Sequence, residues 1–326
     1  MLYAYAVEGG RITLMERGAD LRGAMWIDMV QPGDVEVAAL TALGVEVPSL
    51  ADMEEIEISN RLFRENGMDY MTAVLPGERG DGSRAAMPVS FILSPERLVT
   101  VRHHSPRPFL TFPDRGERST LGCSTSDRLF MGLVEEIVAR QADILEASGR
   151  VLDEAAQAVF ERRTGATGPM ARAGAERLQA VLRQVGREAE LLARVRLGLL
   201  TIERMLAFYI AIIGERKESG RLRPAIKGQL RDVQALQVHA DFLSSRVSLT
   251  VDTTLGMINL EQNSTVRILS VLTALFLPPT LIASMYGMNF VNMPELEKPW
   301  GYPMALGLMV GTSAATWLLL RWKNWL

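Results

Sequence analysis

Two uncharged runs near the C-terminus decide what this chain can fold into. Ile268 to Tyr286 holds 19 residues without a charge, and Tyr302 to Leu320 holds another 19. At about 1.5 Å rise per residue each run is long enough to cross a hydrocarbon core of about 30 Å as a helix. Hydrocarbon offers backbone polar groups no water, so spans of this kind must satisfy their own hydrogen bonds. Arg267 flanks the first run on its N-terminal side, and Arg321 and Lys323 flank the second on its C-terminal side. The loop between the runs carries Glu295, Glu297 and Lys298. The positive-inside rule therefore predicts both termini in the cytosol and the loop outside. Trp300 and Tyr302 at one end, and Trp317, Trp322 and Trp325 at the other, suit the two interfaces. Glu8, Arg11, Glu16 and Arg17 interrupt the N-terminal stretch, which lacks the apolar core of a secretory signal.

The remainder reads as cytosolic. A net charge of −3 gives no nucleic-acid footprint and fits an ordinary solvated surface. The single cysteine, Cys123, excludes an intrachain disulfide and a Cys-based zinc cluster, and is expected to be small and partly buried. His103, His104 and His239 do not make up a transition-metal site with one cysteine. His103-His104 ends a strand, and an exposed strand terminus is preferred there over a ligand pair. No nucleophile–base pair or Gly-rich phosphate loop is seen, so an enzyme is not expected and no catalytic residue is assigned.

Residues 1–120 read as an α+β domain. Leu2 to Val7 and Arg11 to Leu14 form a hairpin around Gly9-Gly10, and Met25 to Val30 is a strand stopped by Pro32. Asp34 caps a short helix, and Ser49 to Arg64 has apolar residues at helical spacing. Strands follow at Tyr70–Leu75, Val89–Leu93 and Leu98–His103. Residues 121–222 read as a helical hairpin: one helix from Ser126 to Arg163, a Thr164–Pro169 break, and a second from about Ala171 to Gly214. A stalk helix over 223–266, started by Pro224, leads into a membrane domain over 267–326 with spans at about 268–286 and 302–320. Unbroken to Tyr286 this helix has about 60 residues and a rise of about 90 Å. That is three times the hydrocarbon thickness, so its first two thirds are a cytosolic stalk.

Heptad spacing along the first span gives two adjacent seams. One is Asn263, Ser270, Leu277 and Ser284; the other is Val266, Thr273, Thr280 and Gly287. Together they form a face of hydroxyls and a carboxamide with one large apolar residue, Leu277, part-way along. Two helices cannot enclose a water path, so a pore along this face requires several copies of the chain. The alternative is that Ser and Thr bond their own i−4 carbonyls and the small residues aid helix packing. Leu277 is read either as a hydrophobic constriction or as a laterally packed side chain.

At the end of this face stands Tyr286-Gly287-Met288-Asn289-Phe290, followed by Met293-Pro294-Glu295-Leu296 and Gly301-Tyr302-Pro303. Leu277-Pro278-Pro279-Thr280 and Glu261-Gln262-Asn263 precede it, and Lys323-Asn324-Trp325-Leu326 closes the chain. These segments resemble the CorA family of divalent-cation transporters, whose hallmark is Gly-Met-Asn between two terminal spans. The close resemblance covers roughly residues 258 to 326; upstream it lies in the order of domains. It implies a homopentameric channel in the bacterial inner membrane, with the first spans around a central pore. It implies uptake of Mg²⁺, with Co²⁺ as an alternative, and regulation by cytosolic Mg²⁺; no cofactor is expected besides the ion itself. Gly287, Met288 and Asn289 would form the selectivity filter, with the Asn289 carboxamide and the Gly287 carbonyl facing a hydrated ion and Met288 shaping the loop. Glu295 would form an acidic outer ring. Arg231-Asp232-Val233 resembles the segment of the family's regulatory site, which makes Asp232 either a Mg²⁺ ligand between subunits or a solvated stalk charge. Competing readings are a ZntB-like Zn²⁺ transporter, whose outer loop usually lacks Met-Pro-Glu-Leu, and a membrane receptor that transports nothing.

Overall fold

The structure is a computed structural model that describes residues 1–55, 57–160, 169–215, 219–288 and 298–323. The chain divides into two compact units, one of residues 1–161 and 181–251, the other of residues 162–180 and 252–326.

The first unit is built on a seven-stranded sheet. Its strands are β1 (Leu2–Glu8), β2 (Arg11–Leu14), β3 (Trp26–Val30), β4 (Leu62–Glu65), β5 (Met68–Glu78), β6 (Arg84–Leu93) and β7 (Leu98–Arg102), in the order β2-β1-β3-β7-β6-β5-β4. All neighbours are antiparallel except β3 and β7, which pair from Trp26↔Leu98 to Val30↔Arg102. Alternation along these two strands sends Ile27, Met29, Val99 and Val101 to one face, where Leu40, Met53 and Tyr70 complete a core. Trp26 lies on the other face, within ring-stacking distance of Phe109 and Phe112. With both faces covered, the strands are apolar runs rather than alternating ones. The exceptions are Asp28, Thr100 and Arg102, all buried on the Trp26 face. Arg102 grips Asp28 through Nε (3.1 Å) and Nη2 (2.8 Å), and Thr100 donates to the same carboxylate at 2.7 Å. A buried ion pair holds when both charges are matched by hydrogen bonds, as here.

Helices α5 (Ser126–Phe160) and α6 (Pro169–Ile212) lie antiparallel, since Tyr209 near the end of α6 donates to Asp127 at the start of α5 (2.7 Å). Thr201 of α6 accepts from the Val74 N–H of β5 at 2.9 Å, tying the hairpin to the sheet. Helix α7 (Ser219–Tyr286) runs back along both. Gln234 and Gln237 donate to Glu203 of α6, and Arg246 bonds Asp153 of α5.

Several local readings need correction. The segment Ser49–Arg64 is not one helix. It holds α2 (Leu50–Glu54), α3 (Ile58–Arg61) and then strand β4, because Asn66 (φ 49°) and Gly67 (φ 78°) make a two-residue hairpin turn that pairs Glu65 with Met68. Helix α1 (Asp34–Thr41) is capped by Gly33, whose N–H bonds Glu36 Oε2 at 2.9 Å, and not by Asp34. Helix α4 (Pro108–Arg115) arises where no helix is expected from the sequence; Pro108 is tolerated in its first turn. Helix α7 starts at Ser219, five residues before Pro224, and continues through Pro278-Pro279. Those prolines deprive the Ala274 and Leu275 carbonyls of backbone donors without ending the helix. His104 is 2% exposed, not an exposed strand end, and its Nε2 lies 2.8 Å from the Leu75 carbonyl. Burial pushes its pKa down to about 4. Cys123 is buried, donates to the Gly116 carbonyl at 3.0 Å, and has its thiol pKa pushed up to about 11 by desolvation. The Thr164–Gly168 break lies outside the described residues.

Candidate functional site

The second unit contains the C-terminal part of α7 and helix α8 (Gly301–Trp322). Both helices are long and apolar enough to cross a membrane. They lie antiparallel: Leu275, Phe276 and Pro279 of α7 share a cleft with Met309, Val310, Ser313, Ala314 and Trp317 of α8. From Ser264 to Tyr286 the half-covered positions of α7 are Ser264, Val271, Ala274, Leu275, Pro278, Pro279, Ile282 and Tyr286. At about 100° per residue these fall on one side of the helix.

The two predicted seams fall on the opposite side. Asn263, Val266, Ser270, Thr273, Leu277, Thr280, Ser284 and Gly287 are all exposed in the single chain, Leu277 at 66%. The end of α7 thus has a side that packs on α8 and a side, bearing Ser270, Thr273, Thr280 and Ser284, that faces away from it. Thr273 donates to the Leu269 carbonyl at 2.8 Å and Thr280 to the Phe276 carbonyl at 2.6 Å. The back-bonding alternative therefore holds for both threonines, yet a hydroxyl that donates inward keeps lone pairs on its outward side. Exposed Leu269, Leu272, Phe276 and Leu281 surround this seam, an apolar surface far larger than a water-facing helix carries.

The helix ends at the motif. The Gly287 N–H closes the last turn on the Ala283 carbonyl at 2.9 Å, and the Met288 N–H reaches the Met285 carbonyl at 3.3 Å. Met288 is 48% exposed. Asn289, with the carboxamide expected to face the ion, and Glu295 in the outer loop lie outside the described residues. Asp232 is in the first unit, exposed on α7 beside the fully buried Val233. Among the described residues no three His, Cys, Asp or Glu side chains converge as a metal cage.

The sequence profile of the family described as CorA-like Mg²⁺ transporter protein matches residues 22–321. The chain belongs to the CorA family. It is 30% identical to the magnesium transport protein CorA of Yersinia pseudotuberculosis, covering 100% of both chains. It is equally identical, with equal coverage, to that of Escherichia coli K12. Its fold is that of the complete CorA magnesium transporter of Methanocaldococcus jannaschii, with a TM-score of 0.74 at 17% identity over 100% of this chain and 99% of that one. The chain is also similar in fold to the ZntB cytoplasmic domain of Vibrio parahaemolyticus, with a TM-score of 0.56 at 10% identity over 79% of this chain and 97% of that one. CorA membership and two apolar helices make this a membrane protein.

Sequence reasoning missed the buried Asp28–Arg102 pair, though a signal existed: an Asp inside Trp26–Val30 and an Arg ending Leu98–Arg102 are charges within apolar strands.

Proposed function

We propose that this chain is one subunit of a divalent-cation uptake channel that carries Mg²⁺, and Co²⁺ as a second ion, across the bacterial inner membrane. Five copies would place the exposed face of α7 around a common axis, with both termini in the cytosol. The observation that carries this reading is the two-sided character of α7: one side against α8, the other bearing Asn263, Ser270, Thr273, Thr280 and Ser284 and ending at Gly287-Met288. The names and full-length coverage of the Yersinia and Escherichia relatives support Mg²⁺ as the ion.

The chemistry is consistent with a hydrated cation. Mg²⁺ parts reluctantly with its waters, and those waters point hydrogens outward. The hydroxyl hydrogens of Thr273 and Thr280 are committed to backbone carbonyls, so their exposed oxygens accept. Neutral acceptors hold such an ion weakly enough to let it leave, which conduction requires. At the filter the Asn289 carboxamide and the Gly287 carbonyl would do the same, and Glu295 would concentrate cations at the outer mouth. Asp232 would sense cytosolic Mg²⁺ at a subunit seam, with the ion offsetting repulsion between acids.

The test is cation uptake by a strain lacking its own Mg²⁺ transporters, with Mg²⁺, Co²⁺ and Zn²⁺ supplied separately. Growth at limiting Mg²⁺ and Co²⁺ entry are expected. Zn²⁺ entry without Mg²⁺ entry would replace the ion, and no entry at all would favour a receptor.

A further inference from the structure

The first unit has a cleft of about 600 Å³ to which α7 contributes nothing. Its walls are the ends of β5 and β6, residues 105–110, and the facing sides of α5 and α6. The wall depends on a close crossing at Gly77, where a Cβ would lie 2.7 Å from the His104 ring and 2.8 Å from the Pro106 nitrogen. Glu78 is bonded on one side to residue Ser105, through backbone contacts of 2.8 and 3.3 Å, and is paired on the other with Arg84 of β6. Arg84 and Arg107 both line this end of the cleft.

Two features of this cleft are left over from the needs of the fold. Arg194 is engaged with the Arg84 carbonyl at 2.7 Å and with Glu190, and Arg140 lies 3.9 Å from Asp143. Arg84 and Arg107 line the same cleft, exposed, with no ion-pair partner among the described residues. Ser148 of α5 lies in the wall at 1% exposure, and its hydroxyl has no hydrogen-bond partner among the described residues. A buried hydroxyl in that state is destabilising unless something supplies the missing bond. Between these polar points the wall is apolar, formed by Ile144, Val151 and Leu191. Guanidinium groups favour phosphate through bidentate hydrogen bonds, an apolar wall favours a ring, and the volume is that of a small-molecule site.

We propose that this cleft binds a nucleoside phosphate. The phosphate is held by Arg84 and Arg107, and the base stacks over Ile144, Val151 and Leu191. Glu78 and Glu188, also in the wall, accept from ribose hydroxyls or an exocyclic amine. The site concerns the cytosolic unit alone and stands whether or not the pore reading does.

The experiment is calorimetric titration of AMP into the purified full chain in detergent with EDTA present, because AMP chelates divalent cations weakly and cation sites then stay silent. Saturable binding is expected, with adenosine and inorganic phosphate each weaker by roughly tenfold or more, the scale of one lost charge-assisted bond. The Arg84→Gln/Arg107→Gln double variant loses affinity to the same extent. Ala147→Trp, at an exposed cleft position, blocks binding by filling the space while its melting temperature stays near the parent's. Absence of AMP binding at millimolar concentration in the parent, or equal affinity in the parent and both variants, overturns the proposal. Equal affinity for inorganic phosphate and AMP overturns it too, since the base would then contribute nothing.

Discussion

Leu277 is the single large apolar side chain among the hydroxyl-bearing positions of α7, exposed on the side turned away from α8. Around the proposed five-fold axis, five such side chains would narrow and dry the path, which would close it to a hydrated ion. Leu277→Ser is therefore expected to leak Mg²⁺ when cytosolic Mg²⁺ is high; unchanged closed-state current in proteoliposomes would mean that Leu277 packs sideways. His104 sets a different test. Its pKa is about 4 in the fold against about 6.5 when unfolded, so the unfolded chain takes up a proton in that window and the folded chain does not. The stability from the neutral ring is complete above pH 6.5 and is lost as pH falls toward 4, on the order of 3 kcal/mol in all. His104→Gln keeps a donor for the Leu75 carbonyl and does not titrate. The parent should lose more melting temperature than this variant between pH 7 and pH 5; parallel losses would assign the acid sensitivity to other groups. The sequence alone placed His104 at an exposed strand end because nothing local shows that Gly77 lets residues 105–106 cross β5 and cover it.

At the scale of elements, what could be read in advance is what local pattern controls. The Gly9-Gly10 turn, with φ of 60° and 87°, and the long periodic helices α5, α6 and α7 follow from their own residues. Strand β4 and helix α4 do not. Leu62 and Phe63 fit a helical spacing as well as a strand, and pairing across the Asn66-Gly67 turn decides between them. Pro113 discourages a helix that Phe109 and Phe112 then stabilise by packing on Trp26. For α7 the two-sidedness is the testable property. Ser270→Trp, on the exposed side, should abolish Mg²⁺ flux with assembly and melting temperature retained. Ala274→Trp, one turn on and on the half-covered side, should lower the melting temperature by breaking helix packing. If both variants behave alike, the two sides of α7 do not differ in role.

For the whole molecule, the proposal joins Asp232, an exposed acid on the first-unit part of α7, to a proposed filter beyond the helix end. A cation shifts such an equilibrium only through different affinities for its two states. Asp232→Asn should therefore move inhibition by cytosolic Mg²⁺ to higher concentration or leave it incomplete, whereas superimposable inhibition curves would reduce Asp232 to a solvated charge. The proposed filter is legible in the sequence because Gly287-Met288-Asn289 is contiguous, while the proposed regulatory site is legible only at Asp232 because its partner acid would come from a distant segment or another copy. The most direct test is Mg²⁺ influx into proteoliposomes under an inside-negative potential, comparing the parent with Asn289→Ala after size-exclusion chromatography of both. Potential-driven influx in the parent, its loss in Asn289→Ala and the same pentameric elution for both are expected. Influx in Asn289→Ala equal to the parent's would contradict a pore that ends at Gly287-Met288-Asn289.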